Sequence, residues 1–526
     1  MTRTFRIILP LIISTAFIAG MYVSKQGTQI IHSQQTDFSA HNKLETLLHL
    51  IETEYADSIN KQKLIEDVIP LILEKLDPHS AYITPDEYNA VRDPIQGSFE
   101  GIGVQFNIQH DTIIIVQVIP GGPSELVGIK AGDRIVTVND SVVAGKGLSS
   151  NDVVRFLKGP KGSKVSVQIL RKGNSSLLNF IITRDQIPLY SIDVSYMRTP
   201  TIGYIKISRF AITTPDEFIE HISKLRKLGM QKLIIDLRDN GGGVLSAAIF
   251  LANEFLEKND LIVYTEGKNY SRDESYADGN GSCKDLQIAV LINEYSASAS
   301  EVFAGAIQDN DRGIVVGRRS FGKGFVNRDF MFSDSSIIRL TIQKFYSPSG
   351  RCIQKPYFDG IEAYQNELLD RFLHKEFIEK DSISFPDSLT YTTKNGKTVY
   401  GGGGIMPDIF VPLDTIGITP YFTELTQKGI IYDFAFEYAD NMRDVLHTKD
   451  TKALEHYLNS TNVINQFISQ SKKSVPFSEE EYAISQTYIQ SHVYAYIMRN
   501  IVGDDGFYPM FQKYDSTIDA AQNALK

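Results

Sequence analysis

The sequence predicts a multidomain α/β protein, an α/β core that carries an inserted strand-rich module between flanking helical regions. Three textures predict it. Downstream of Thr201, apolar strand-like runs alternate with helix-like segments, the pattern of crossover units packed on a sheet. Residues 97–187 read as short β-type runs cut by glycine. Outside these, Leu44 to Leu76 repeats apolar residues at helical spacing, and the chain beyond Asp414 is mainly helical and polar. The divisions that follow are 1–25, 26–96, 97–187, 188–414 and 415–526.

At the N-terminus, Arg3 and Arg6 precede an apolar run from Ile7 to Val23, and Lys25 follows it. Such a segment is an export signal or a single membrane anchor. The run is about as short as a spanning helix can be. No sharp cleavage site follows Ala16 or Ala19, so the cleaved and anchored forms both stay open. Gln26 to Ala40 is polar and reads as a tether.

In the helical region, Leu44, Leu47, Leu48, Ile51 and Tyr55 form one apolar set, and Leu64 to Leu76 a second. The pattern stops at Leu76-Asp77-Pro78-His79-Ser80, where proline forbids smooth continuation, and a short helix is expected near Pro85-Asp86-Glu87. The strand-rich module is expected to place strands at Gly103 to Ile108, Ile113 to Val118, Arg134 to Val138, Lys164 to Leu170 and Leu177 to Thr183. Short helices are expected near Ser124 and at Ser150 to Leu157. In the core, Ile202 to Ile207 and Lys232 to Leu237 read as strands on either side of a helix that opens at Thr214-Pro215-Asp216-Glu217. A helix at Val244 to Leu256, strands near Leu261, Leu286 and Ile314, and a helix at Ala297 to Gln308 continue the alternation.

With 42% apolar and 22% charged residues over 526 positions, the chain has material for several packed cores. A net charge of −10 without a Lys/Arg stripe speaks against a general nucleic-acid surface. The two cysteines, Cys283 and Cys352, cannot frame the fold and lack zinc-site spacing. No metal or organic cofactor is called for.

Three stretches carry chemistry. Asn293-Glu294-Tyr295-Ser296-Ala297-Ser298-Ala299-Ser300-Glu301 follows an apolar strand and opens a helix. A serine there lies beside free N–H groups that stabilise an oxyanion. Three serines compete for that role, and helix capping is the plain alternative for each. Next comes Gly317 to Asn327, in which Lys323 stands between Gly322 and Gly324. A lysine packed closely among apolar groups loses its preference for charge and can act as a base. Phe321 and Phe325 are available as that apolar shell. Walker spacing is absent, which speaks against phosphate binding. The third stretch, Asp236 to Gly243, ends in three glycines whose N–H groups suit an oxyanion hole or simply a tight turn, with Asp236 and Arg238 expected to pair. None of the ten histidines adjoins these stretches, so a Ser–His–Asp arrangement is disfavoured, and His79 reads as a turn residue.

Together, Ser-Ala-Ser-Ala-Ser-Glu, Phe-Gly-Lys-Gly and the Gly241–Gly243 loop resemble the tail-specific, or C-terminal processing, peptidase family, over about Leu44 to Asp414. The resemblance implies a ClpP/crotonase-like α/β core and a serine endopeptidase. It places the nucleophile at Ser298 and the base at Lys323, with the N–H groups of Ala299 and of Gly242 or Gly243 as the oxyanion hole. The family usually carries glutamine four positions after the lysine, where this chain has Asn327, an amide with one methylene less reach. The strand-rich module is similar to a PDZ domain, with Gly101-Ile102-Gly103-Val104 as its carboxylate-binding loop.

The resemblance implies protein or peptide substrates with free C-termini, an adaptor protein or homo-oligomer as possible partners, and a Gram-negative periplasm, soluble or anchored to the inner membrane by residues 7–23. Two rival readings are an impaired PDZ-containing scaffold, towards which Asn327 leans, and a hydrolase of small esters or amides.

Overall fold

The computed structural model describes residues 43–526, and the expected leader and tether lie outside the described residues. The chain divides into two units, Met1–Lys75 and Leu76–Lys526. In the first, the described part is a pair of helices, Lys43–Glu54 and Lys61–Leu73, the second opened by the Asn60 side chain accepting from Lys63 N–H at 3.0 Å. Among the described residues, no helix is long and apolar enough to cross a membrane.

The second unit is built on a six-stranded sheet in the order Ile192–Met197, Ile202–Ile207, Lys232–Asp236, Gln287–Ile292, Ile314–Gly317 and Ile409–Phe410. The first pair is antiparallel and the rest run parallel, with Ile205, Ile235, Val290 and Val315 in register. Strands covered on both faces need apolar residues at successive positions, which is what Leu233 to Ile235 and Ile288 to Ile292 provide. On one face, Phe218, Leu251, Phe303 and Ile307 pack from the helices Thr214–Lys227, Leu245–Asn253 and Ala299–Asp309. The other face is covered by Ile518, Ala521 and Leu525, from the helix Ser516–Ala524 and the residue after it, against Tyr204, Ile234 and Leu291.

A second sheet, which the sequence pattern did not suggest, joins Ala81–Ile83, Ile337–Tyr346, Leu261–Gly267 and Tyr270–Tyr276, with Phe325–Met331 paired to the long strand. Among the described residues, Phe325–Met331 has a partner on one side only and is an edge.

The inserted module leaves the core at Gly97 and returns at Leu189 on a two-stranded stalk, Ser98–Gly101 against Asp185–Pro188. Its strands run from Val104–Gln109 to Leu178–Thr183 as an antiparallel sheet within a residue or two of expectation, with helices at Pro123–Leu126 and Ser150–Leu157. The region beyond residue 415 has its own core, around Phe434, Phe467, Val493 and Met498. It touches both neighbours. Asp440 and Asp433 receive Arg134 and Gln109 of the inserted module at 3.0 Å each. At the core, Asp515 pairs with Arg238 at 2.8 Å, and Tyr508 donates to Asp193 at 2.8 Å. The two cysteines are unpaired.

Candidate active site

Three neighbouring parallel strands end at the same rim, and the segments that leave them carry the three chemical motifs. Lys232–Asp236 leads to Gly241–Gly243, Gln287–Ile292 to Ser298, and Ile314–Gly317 to Lys323. Ligands of open α/β sheets bind outside the carboxyl ends of the strands, where such loops converge. Here Gly241, Gly242, Gly243, Ser298, Lys323 and Asn327 line one cavity of about 650 Å³.

Ser298 caps the helix Ala299–Asp309 with φ 56° and ψ −115°, a backbone region that a residue with a Cβ enters only when its surroundings hold it there. Of the three competing serines, Ser296 and Ser300 are fully buried and donate to the carbonyls of Leu237 (2.7 Å) and Asn240 (3.0 Å). Those two serve the loop's structure, and Ser298 alone faces the cavity.

Gly242 presses against this residue from the neighbouring loop, and Gly243 beside it packs on the Phe210 backbone. Asn240 holds the turn, its Oδ1 accepting from Gly242 N–H at 2.9 Å, while Phe210 N–H donates to the Gly242 carbonyl at 2.9 Å. Gly242 N–H is therefore occupied. Among the described residues, Gly243 N–H and Ala299 N–H have no backbone or side-chain partner, which narrows the expected donor pair to these two. Asp236 and Arg238 pair at 2.6 Å and brace the start of the loop, with Tyr204 donating to Asp236 at 2.6 Å.

Lys323 is partly buried, and burial pushes its amine below the usual lysine range. The Arg339 cation on the cavity wall acts in the same direction, while Glu301 and Asp77 oppose it. Phe325 lines the cavity beside the lysine as expected. Phe321 lies elsewhere, its ring 4.1 Å from Lys355 Nζ, so only one of the two phenylalanines belongs to the shell. Ser298 and Lys323 share the cavity without a hydrogen bond between their side chains. Asn327 does not bond the lysine either, since its amide donates to Thr341 Oγ1 at 3.2 Å and to the His79 carbonyl at 3.4 Å.

Two residues near the site carry more than the sequence suggested. His79 is a turn residue, but the turn packs on the lysine loop: its ring meets Phe325 edge-on at 5.6 Å and hydrogen-bonds the Tyr364 hydroxyl at 2.8 Å. Burial first, and Lys323 next, push its pKa down to about 4, so the ring stays neutral. Glu301 is 1% exposed and accepts from the N–H groups of both Ser298 (2.8 Å) and Lys323 (2.9 Å). The Ser-x-x-Glu spacing of a capping box was the available signal for it.

At the inserted module, the carbonyls of Ile102 and Gly103 point inward, accepting from Ser124 N–H at 3.1 Å and Ile119 N–H at 3.0 Å. Among the described residues, the N–H groups of Ile102 and Gly103 are without a protein partner. The strand Val104–Gln109 that follows is a sheet edge, and Ile102 shares a core with Val153 and Leu157 of the helix Ser150–Leu157. A free edge next to a loop of unpaired N–H groups is the geometry by which a sheet takes up an extended peptide terminus.

The model of peptidase family S41 matches residues 201–363, that of the PDZ domain residues 101–182, and that of a family of unknown function residues 421–503. The chain is 32% identical over 385 residues to the carboxy-terminal processing protease CtpA of Bacillus subtilis (strain 168), covering 72% of this chain and 81% of that protein. It is also 32% identical over 349 residues to a probable CtpA-like serine protease of Staphylococcus aureus (strain MRSA252), covering 66% of this chain and 69% of the relative. A solved photosystem II D1 C-terminal processing protease aligns over 71% of this chain and 93% of its own at 24% identity, with a TM-score of 0.36. With serine, lysine and glycine loops gathered at one strand-end cavity and these relatives matched over two thirds or more of their length, the chain belongs to the carboxy-terminal processing serine proteases of peptidase family S41 and carries a PDZ domain.

Proposed function

We propose that this protease works by a Ser–Lys dyad, with Ser298 as nucleophile and Lys323 as its base, and cleaves exported proteins at or near their C-terminal tails. The observation that carries the reading is a serine and a partly buried, charge-averse lysine on adjacent loops of one cavity. Neutral Lys323 takes the Ser298 proton as the hydroxyl attacks a peptide carbonyl, and the amine, now protonated, supplies a proton to the leaving amide nitrogen. The N–H groups of Gly243 and Ala299 receive the oxyanion. Water then hydrolyses the acyl-enzyme.

Substrate tails dock their carboxylate on the loop 101–104 and add to the edge Val104–Gln109, which feeds the chain towards Ser298. In this reading the apolar run at residues 7–23 exports the enzyme to the periplasm, free or anchored to the inner membrane. Digestion of a protein with an unstructured tail tests the dyad: Ser298→Ala and Lys323→Ala should each abolish cleavage, and retained cleavage by either removes it. An enzyme lacking residues 97–187 should lose its preference for free C-termini, and a retained preference rules out the docking role. Fractionation of cells after leader exchange tests the location.

The scaffold reading keeps one observation in its favour, the absence of a hydrogen bond from Asn327 to Lys323. The digestion decides between them.

A further inference from the structure

Glu301 holds both loops of the proposed dyad at once. Its Oε2 accepts from Ser298 N–H at 2.8 Å and from Lys323 N–H at 2.9 Å, and its Oε1 accepts from Gly322 N–H at 2.7 Å and from the Ser320 hydroxyl at 2.5 Å. Three of the four partners are N–H groups that only donate and the fourth is the Ser320 hydroxyl, so the bonds favour an ionised carboxylate and offset in part the burial that pushes the Glu301 carboxyl above its usual range. One of those donors is the N–H of the residue at φ 56°, and a strained conformation of this kind persists only where the surroundings over-determine it.

We propose that Glu301 is the positioning residue of the protease site, its carboxylate locking the strained backbone of Ser298 to the loop of Lys323 so that hydroxyl and amine face the same cavity. The inference rests on the Ser298–Lys323 reading above. It explains why a buried acid stands beside a lysine that has to stay neutral. Four hydrogen bonds hold the carboxylate by its oxygens, and the Lys323 backbone, rather than its amine, is the part that binds it.

The chemistry separates two variants. In Glu301→Gln the shape is kept, but an amino group must face two of the four donors. Turned towards Ser320, it finds a hydroxyl able to rotate and accept, and leaves Gly322 N–H unpaired. Turned the other way, it unpairs Ser298 and Lys323 together. In Glu301→Asp the charge is kept, and the carboxylate falls one methylene short of the loops.

The test uses the full chain and a peptide with a free C-terminus, with Ser298→Ala and Lys323→Ala as reference variants. Both Glu301 variants should lose about 10²-fold in kcat with little change in KM, as expected when reacting groups are misplaced rather than substrate binding lost. Labelling of Ser298 by a fluorophosphonate should slow in parallel. The charged or titratable groups that face Lys323 or line its cavity are Arg328, Asp329, Arg339, Asp77, His79 and Glu301. Of these, only Glu301 changes, and its charge favours the protonated amine. The acid limb of kcat against pH should therefore move to lower pH in Glu301→Gln and stay in place in Glu301→Asp.

A wild-type kcat in Glu301→Gln, or in Glu301→Asp where the glutamine variant does not fold, overturns the inference. So does a loss confined to KM or to the melting curve, which assigns Glu301 to the fold alone. Cleavage by Ser298→Ala or Lys323→Ala instead removes the dyad reading itself, whatever the Glu301 variants do.

Discussion

Gly242 and Ser298 stand so close that a β-carbon on the glycine would lie 2.7 Å from the serine's own Cβ. The same carbon would come within 2.7 Å of the Ala297 carbonyl and 2.9 Å of Ala299 N, and Gly242 has φ +97°. Gly242→Ala should therefore push the two loops apart, lowering kcat about 10²-fold and adding backbone strain of about 1–3 kcal/mol. Peptide hydrolysis and a thermal melt on the same preparation measure the two effects.

Arg339 lies on the cavity wall, held by Asp329 through two bonds of 2.8 Å, and its charge disfavours a proton on Lys323. In the proposed dyad the base works in its neutral form, so activity should rise with pH as Lys323 loses its proton. Arg339→Gln removes a cation and leaves Asp329 unpaired, and both changes favour lysine protonation. Glu301, Asp77 and His79 stay in place. The acid limb of the kcat profile should move to higher pH, and a profile that does not move would place Arg339 outside the lysine's field.

Asn327 is committed to Thr341 and the His79 carbonyl rather than to the lysine. A side chain one methylene longer can extend past these partners towards the amine, so Asn327→Gln should raise kcat. An equal or lower kcat shows that lysine positioning does not limit turnover.

The His79 ring titrates at about 4 in the folded protein against a usual 6.5. Between these values the unfolded chain binds more protons than the folded one, so stability rises with pH across that window. The contribution is complete above 6.5 and is lost as pH falls towards 4. His79→Gln removes the titration, and its melting temperature should fall less steeply than wild type between pH 6.5 and 4.

Arg351 and Asp309 form a fully buried ion pair at 2.7 Å, with Arg351 also bound to Gln308 Oε1 and the Tyr400 carbonyl. Arg351→Ala leaves a buried carboxylate whose remaining partner is Ser349 N–H. The cost should be about 3–5 kcal/mol, read from the denaturant midpoint.

The strands bearing the site and the glycine turns after them were legible because apolar runs and their punctuation are local signals, and the strand-rich module was legible for the same reason. What escaped depends on partners distant in sequence. Phe325–Met331 alternates too weakly to announce a strand, because its edge position leaves Arg328, Asp329 and Phe330 exposed. The role of Glu301 appears only when the lysine loop folds back onto it. Asp77 and His79 read as turn residues, and nothing near them in the chain reveals Thr341, Phe325 or Tyr364 as their companions. The helix Ser516–Ala524 offers the sheet few apolar side chains, too short a stripe to advertise its destination.

That helix has a consequence for how the molecule is made. Strands completed by residue 317 keep one oily side open to water until residues 516–524 have been synthesised and have swung back to close it. Sealing of the central layer therefore waits for the chain beyond residue 515, and until then the uncovered side is a surface on which a partly made chain can aggregate.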